Sequence, residues 1–417
     1  MSQANSWGNP GATVGSLNGF FKETYADKLQ ELIPDGVKLI NKIKFMSKEK
    51  QPGNLYHQPV ILGMEHGVTF AGSDEDAFNL NPPVAGQVKD AQVKGNPLVM
   101  RSLLGYVAAS RAALGGQKAF MDATKFLVAN MLRSMAKKLE IQILYGQMGY
   151  GIVSTAVTTV ITMTTASWAP GIWAGAEGMP IEIRDTTGAT SRGDFVISSV
   201  DMDARTITLS SSAASAGVTA TDVIWHKGAY GNEFPGIHKI LTTTSGTLFN
   251  INVGTYNLFK GNEYSAGSAA LSFNKLNLAA ARAVEKGLDG ALYVLVNPRA
   301  WANMLNDQAA LRRYDSSYGS AKGEMGSKSI KFHAQNGELE IEPSIYVKEG
   351  FAYMLSVDDW VRVGSSDMTF KRPGQGDEFF RDLENSAAYE LRLYSDQAIF
   401  CSSPGKNVII SSIVNAT

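Results

Sequence analysis

One cysteine is present in 417 residues, Cys401 in the stretch AIFCSSP. A single thiol closes no intrachain disulfide and excludes four-cysteine zinc sites. Its apolar setting marks it as a small residue at the end of a strand, and cysteine use this sparse suits a reducing cytoplasm. Charge of one sign is equally scarce. The 38 basic and 39 acidic side chains leave a formal net charge of −1, which gives no electrostatic reason for tight binding to nucleic acid or to an anionic membrane. No apolar run is long enough to span a bilayer. The most apolar stretch, GIVSTAVTTVITMTT, is short and rich in threonine, and reads as strand. The opening MSQANSWGNPGATVG has neither the basic nor the apolar region of a signal peptide. With 44% hydrophobic and 18% charged residues, the chain is expected to be soluble and globular, with a sizeable core and about two to three domains.

Motifs that carry chemistry are missing too. His57, His66, His226, His238 and His333 never fall at helical metal-ligand spacing, and no HExxH occurs. The acidic run SDEDAFNLN holds Asp74, Glu75 and Asp76. It has Phe78 and Asn79 where a calcium loop needs a ligand and then a glycine, so it reads as a solvated bend. GEMGSKS (323–329) lacks a lysine directly after Gly326 and has Ala321 where a phosphate loop needs its first glycine. Neither GxSxG nor a post-strand GxGxxG is found. Asp358 and Asp359 in SVDDW, placed next to each other on a strand, would point to opposite faces and make a poor acid pair. FKRPGQ, with Lys371 and Arg372, reads as a solvated turn. The expectation is therefore no catalytic residue, no metal site and no cofactor.

What is there is a distinctive order of elements. Residues 1–17 are small, polar and rich in glycine, like an arm. A helical pattern follows, with Phe21, Tyr25, Leu29 and Leu32 at three- or four-residue steps until Pro34 and Gly36. From 51 to 105, strand-like pieces surround a polar bend, with few large apolar residues to fold over them. An extended two-stranded arm fits this pattern, and its exposed edges invite pairing with another chain. KAFMDATKFLVANMLRSMAKKLEIQILY (118–145) is the clearest helix. Val128, Leu132, Met135, Leu139 and Ile143 mark one face, while Arg133, Lys137, Lys138 and Glu140 lie largely off it. Residues 151–230 read as an all-β unit of short strands with turn signals between them. The rest is mixed: a helix capped by Ser272 or Asn274, the buried strand ALYVLVNP, the helix RAWANMLNDQAALRRY, a polar loop over 314–336, and further strands. AAYELRLYSDQAIF (387–400) alternates Tyr389, Leu391 and Leu393 with Glu390, Arg392 and Tyr394, the period of a half-buried strand.

This order resembles the major capsid proteins of tailed bacteriophages, an α+β fold of the Hong-Kong-97 type. KAFMDATKFLVANMLRSMAKKLEIQILYG is similar to the spine helix of that family and VLVNPRAWANML to the strand–proline–helix of its axial domain. AAYELRLYSDQAIF with PGKNVIISSI looks like its closing strands, and GMPIEIRDTTGATSRGDFVISSVDMDARTITLS like the β-barrel insertion some members carry. The resemblance implies an N-terminal arm and helix (1–50), an extended E-loop hairpin (51–105), a peripheral domain with the spine helix (106–150), an inserted β domain (151–230), a return to the peripheral domain (231–270), an axial domain (271–380) and peripheral closing strands (381–417). It implies a non-enzymatic protein of the virion, assembled in the host cytoplasm into hexamers and pentamers that form an icosahedral shell around double-stranded DNA, without sequence-specific binding and without a membrane. Contacts between subunits are expected on the hairpin, at Asp74, Glu75, Asp76, Lys89 and Lys94. Scaffolding, portal and decoration proteins are the implied partners, with the scaffold a separate protein because the N-terminal arm is short. Two other readings stand beside this one: an encapsulin-like nanocompartment shell, and a carbohydrate-binding or hydrolytic β-rich protein in which Trp168, Trp173 and Trp225 would supply the aromatics.

Overall fold

The computed structural model describes residues 36–46, 55–74, 77–105, 123–305, 330–334, 337–371, 380–383 and 386–415. The helical pattern expected at 18–33 and most of the loop at 314–336 lie outside these residues.

A six-stranded sheet organises one part of the molecule. Its strands, in spatial order, are β12 (Asn262–Ala269), β20 (Val408–Ile413), β16 (Ala352–Leu355), β13 (Leu292–Val296), β15 (Gly337–Pro343) and β14 (Ile330–Ala334). β12 with β20 and β13 with β15 run parallel; the other pairs are antiparallel. The uninterrupted LYVLV of β13 is buried at every position because both faces of this sheet are covered. Leu292, Val294 and Val296 pack with Phe273, Leu276 and Ala280 of the helix Phe273–Val284 and with Met304 of the helix Pro298–Leu305. Tyr293 and Leu295 point the other way, into a second core shared with the rest of the protein. Ser272 caps the first of these helices by accepting from the Lys275 amide.

The second sheet is built around β19 (Ser386–Cys401). β17 (Trp360–Thr369) and β18 (Phe380–Leu383) pair along it in turn, and β3 (Asn96–Gly105) also pairs with it. Leu391 and Leu393 face the core; Glu390, on the opposite face, is buried under Arg101 and Arg392. β17 bulges between Val363 and Ser366. Gly364 there has φ +152°, and a Cβ would lie 2.1 Å from the Asp396 carbonyl oxygen, so only glycine fits.

Two segments differ from the sequence reading. β3 is a strand of the body, so the arm taken as 51–105 is a hairpin only from β1 (Tyr56–Gly63) to β2 (Gln87–Val93). β20, grouped with 387–400 as a closing strand, lies in the six-stranded sheet.

The long helix Ala123–Tyr145 runs into the centre of the molecule. Its last turns are buried all round, including Ile141, Gln142, Ile143 and Leu144, because both the barrel and the sheets close over it. Leu132, expected on the core face, is exposed, while Glu140, placed off that face, is fully buried. The Glu140 carboxylate accepts from the amides of Lys38, Leu39 and Ile40 at 3.1, 2.9 and 3.1 Å, fastening the helical turn Leu39–Lys42. Arg362 of β17 holds the next residues, donating from Nε to the Ile43 carbonyl at 2.9 Å. Its backbone bonds to Lys44 and Met46.

Six strands close into a barrel: β4 (Gly151–Val157), β5 (Val160–Met163), β8 (Thr206–Leu209), β7 (Ser191–Asp201), β6 (Pro180–Arg184) and β9 (Val223–His226). Closure leaves no free strand edge. The chain leaves for the barrel at Gly146 and comes back at Gly236, where the Gly236 amide donates to the Gly146 carbonyl at 2.9 Å. A side chain at Gly146 would put its Cβ 2.1 Å from the Phe234 carbonyl oxygen, so glycine allows the two passes to touch. Across the junction, Arg205 of the barrel grips Glu349 through two hydrogen bonds of 3.0 and 3.1 Å. β10 (Thr247–Leu248) and β11 (Ile251–Asn252) form a small hairpin after the return.

Candidate assembly surface

β1 and β2 make a two-stranded sheet of their own, paired from Tyr56–Val93 at the base to Gly63–Gln87 at the far end. A lone hairpin is marginal in water, and here contacts with the body support it, most of them near the base. Tyr56 packs edge-on against Phe400 at 5.8 Å, and Ala91 and Val93 are buried. The Gln92 amide donates to the Phe249 carbonyl, and the Tyr256 hydroxyl donates to Gln87 Oε1 at 2.6 Å. His57 Nδ1 lies 2.6 Å from Asp90 Oδ2, and Gln92 Nε2 donates to the same oxygen. These hydrogen bonds, that of His57 foremost, hold the Asp90 carboxyl below its usual range.

Beyond the ladder the chain is laced by few bonds. Asn81 is held by Thr69 Oγ1 and the Val68 carbonyl, and His66 by the Val84 carbonyl. Large apolar side chains stand bare here: Ile61 is 76% exposed, Met64 77%, Leu80 79% and Phe70 91%. Four large apolar side chains this exposed on one hairpin make it a candidate interaction surface.

Of the residues expected to make contacts, Asp74 is exposed in this outer loop, Lys89 is exposed on β2 opposite Val60, and Lys94 is exposed between β2 and β3. Glu75 and Asp76 lie outside the described residues. The structure does not bring Lys94 and Asp74 together: a ladder of about seven residues, roughly 24 Å long, separates their ends. Sequence reasoning missed Ile61, Met64, Phe70 and Leu80. The signal was present, since these apolar residues sit in a segment with too few others to form a core of its own.

The three tryptophans of the hydrolytic or carbohydrate-binding reading do not line an open sugar site. Trp168 and Trp173 stack on each other at 6.3 Å and are each 1% exposed, so no sugar can reach them. Trp225 is covered by Tyr150 and Tyr230. Asp358 and Asp359 sit in a 3-10 turn rather than on a strand, and Asp359 is engaged by Ser402. Cys401 is buried, and burial pushes its thiol up. Among the described residues no cluster of His, Cys, Asp and Glu could hold a metal, and no helix is long and apolar enough to cross a membrane.

Buried charge is concentrated where the barrel meets the body. Lys348 is 6% exposed; its Nζ donates to the Gly149 carbonyl at 3.0 Å and lies 4.1 Å above the Tyr145 ring. The Tyr145 hydroxyl accepts from the Lys348 amide and donates to the Tyr346 carbonyl. Nearby, His238 Nδ1 meets the Tyr353 hydroxyl at 2.8 Å, and burial and then Lys348 push this imidazole down to about 3. Among the described residues no carboxylate pairs with Lys348, and burial pulls its ammonium down to about 7 from 10.5. Between those values the unfolded chain binds more protons than the folded one, so this lysine makes stability rise with pH. The expected slope is at most about 1.4 kcal/mol per pH unit. Denaturation from pH 7 to 10 measures it, and Lys348→Met flattens it; an unchanged slope in the variant would remove Lys348 as the cause.

No protein-family model matches the sequence, and no curated protein matches it. Solved structures do match in shape. A chain of the capsid asymmetric unit of cyanophage A-1(L) is similar over 96% of this chain and 99% of its own, with TM-score 0.56 and 10% identity. A capsid chain of the native GTA particle is similar over 97% and 100%, with TM-score 0.52 and 8% identity. This chain shares its fold with these two capsid chains. In this fold the hairpin arm and the closed barrel join a body made of the two sheets and the long helix.

Proposed function

We propose that this chain is the major capsid protein of a tailed bacteriophage, built on the Hong-Kong-97 pattern. The observation that carries the reading is likeness over nearly the full length to two capsid chains; the exposed apolar hairpin adds independent support. On this reading the long helix is the spine of the peripheral domain and the six-stranded sheet belongs to the axial domain. The β1–β2 hairpin is the E-loop, and the barrel is an insertion that decorates the shell. Subunits associate through repeated heterologous contacts into hexamers and pentamers, and the hairpin of each covers its apolar tip against a neighbour. Asp74, Glu75, Asp76, Lys89 and Lys94 supply polar contacts around that patch. The near balance of charge fits an inner face that lies beside double-stranded DNA without gripping it. Scaffolding, portal and decoration proteins are the expected partners, and the virion, assembled in the host cytoplasm, is the expected location. The role is structural rather than enzymatic.

Negative-stain microscopy of the purified chain, with size-exclusion chromatography beside it, tests this reading. Closed shells, tubes, or five- and six-fold rings are expected, alone or with a co-expressed scaffold. A chain that stays monomeric under both conditions would sink it.

A further inference from the structure

Between the long helix, β3 and the mouth of the barrel lies a cavity of about 580 Å³, a volume typical of small-molecule sites. Its walls are largely apolar: Leu98 and Met100 of β3, Met135 of the helix, and Met179 and Pro180 where β6 begins. Two cations at its edge already have partners. Arg101 pairs with Glu390 at 2.7 Å and Lys227 with Asp194 at 2.9 Å. Lys138 is different. Its Nζ lies 2.8 Å from Met179 Sδ and 3.3 Å from His226 Nε2, and among the described residues it pairs with no carboxylate.

A thioether accepts weakly and a neutral imidazole offers one lone pair. An ammonium with three N–H donors therefore faces the cavity short of an oxygen acceptor. A partly buried cation left in that state costs free energy, which an entering anion would offset. The wall chemistry says what the anion should carry. Unbranched, polarisable methionine side chains adapt to an alkyl or other apolar body.

We propose that this cavity binds a small carboxylate on an apolar stem, with its head against the Lys138 ammonium and its stem among Met100, Met135 and Met179. The other ionisable groups facing the site permit this at mildly acidic pH. Glu233 is engaged by the Gln147 amide and the Tyr150 hydroxyl, and burial pushes its carboxyl up to about 7. Below that pH it is neutral and does not repel an anion. Burial, then Lys137, pulls Lys138 itself down to about 7. Burial, then Lys138 and Lys137, keeps the His226 imidazole neutral. As pH rises through 7 the site loses its positive charge at Lys138 and gains a negative one at Glu233, so both changes weaken the binding of an anion. Lys137 on the same helix, and Arg101 and Lys227 at the edge, complete the set of charges around it.

Calorimetric titration of the full chain with octanoate, octanol and octylamine, at pH 6 and pH 8.5, tests the proposal. Octanoate should bind at least about tenfold more tightly than octanol at pH 6, as expected for one charge-assisted contact, and octylamine should not bind. The preference for octanoate should shrink at pH 8.5 and vanish in Lys138→Met, whose retained binding of octanol shows that the cavity is intact. Equal affinity for octanoate and octanol at pH 6 would overturn the proposal, as would a preference that survives Lys138→Met. Should the variant lose octanol binding as well, the wild-type pH series decides: octanoate affinity unchanged between pH 6 and 8.5 overturns it.

Discussion

Phe70→Asp combined with Leu80→Asp should leave the subunit folded and stop it assembling. Both side chains are almost fully exposed in the single chain, so their replacement changes its stability by no more than about 0.5 kcal/mol. In a shell each would be covered by a neighbour, and burying such a side chain is worth about 2 kcal/mol. Losing both raises the concentration needed for assembly by about a thousandfold, before the cost of placing carboxylates in an apolar contact is counted. Light scattering against protein concentration, with a thermal melt of the unassembled chain, reads both quantities. Assembly at the wild-type concentration would mean that the hairpin tip is not the contact.

The second large effect is expected inside the subunit. Glu140→Leu keeps the volume of the side chain but strands the amides of Lys38, Leu39 and Ile40, all three of which the carboxylate holds. Burial pushes the Glu140 carboxyl up, while these amides and Arg362 draw it down. Removing a buried, multiply bonded carboxylate costs about 3–5 kcal/mol. The loss should be local first: hydrogen exchange at 38–46 speeds up sharply, while exchange in β13 and β16 changes little. Unchanged protection of the Leu39 amide would show that the clamp does not hold this segment. Glu140→Gln should be milder, since one oxygen remains to accept.

The parts of the fold that could be read in the sequence are those with a clean period. β19 announces itself through Leu391 and Leu393, and β13 through an unbroken apolar run with proline after it. Long-range partnerships were not readable. Nothing in VIISSI says that it pairs with β12 and β16 rather than with the sheet of β19, because both environments suit the same apolar strand. Glu140 reads as a surface residue of an amphipathic helix, and its true role depends on amides a hundred positions earlier in the chain. The same limit applies to the arm. Its acids and lysines stand out as charges, whereas Ile61, Met64, Phe70 and Leu80 look like ordinary strand residues until the structure shows that none of the described residues covers them. Lys138 escaped notice as a site because its isolation depends on His226 and Met179, brought to it by the barrel.

The pairing of β3 with β19 has a mechanical consequence. β2 passes into β3 through only Lys94 and Gly95, so tension applied to the hairpin enters the body at Asn96. β3 is matched to β19 over ten consecutive pairs, from Asn96–Gln397 to Gly105–Ala388. A pull along the strand axis loads that ladder in shear, where the hydrogen bonds must yield together. A peeling pull would break them one after another. A lattice of such subunits, stretched from within, would put its strain on the outer contacts of the hairpin well before the root of the arm gave way.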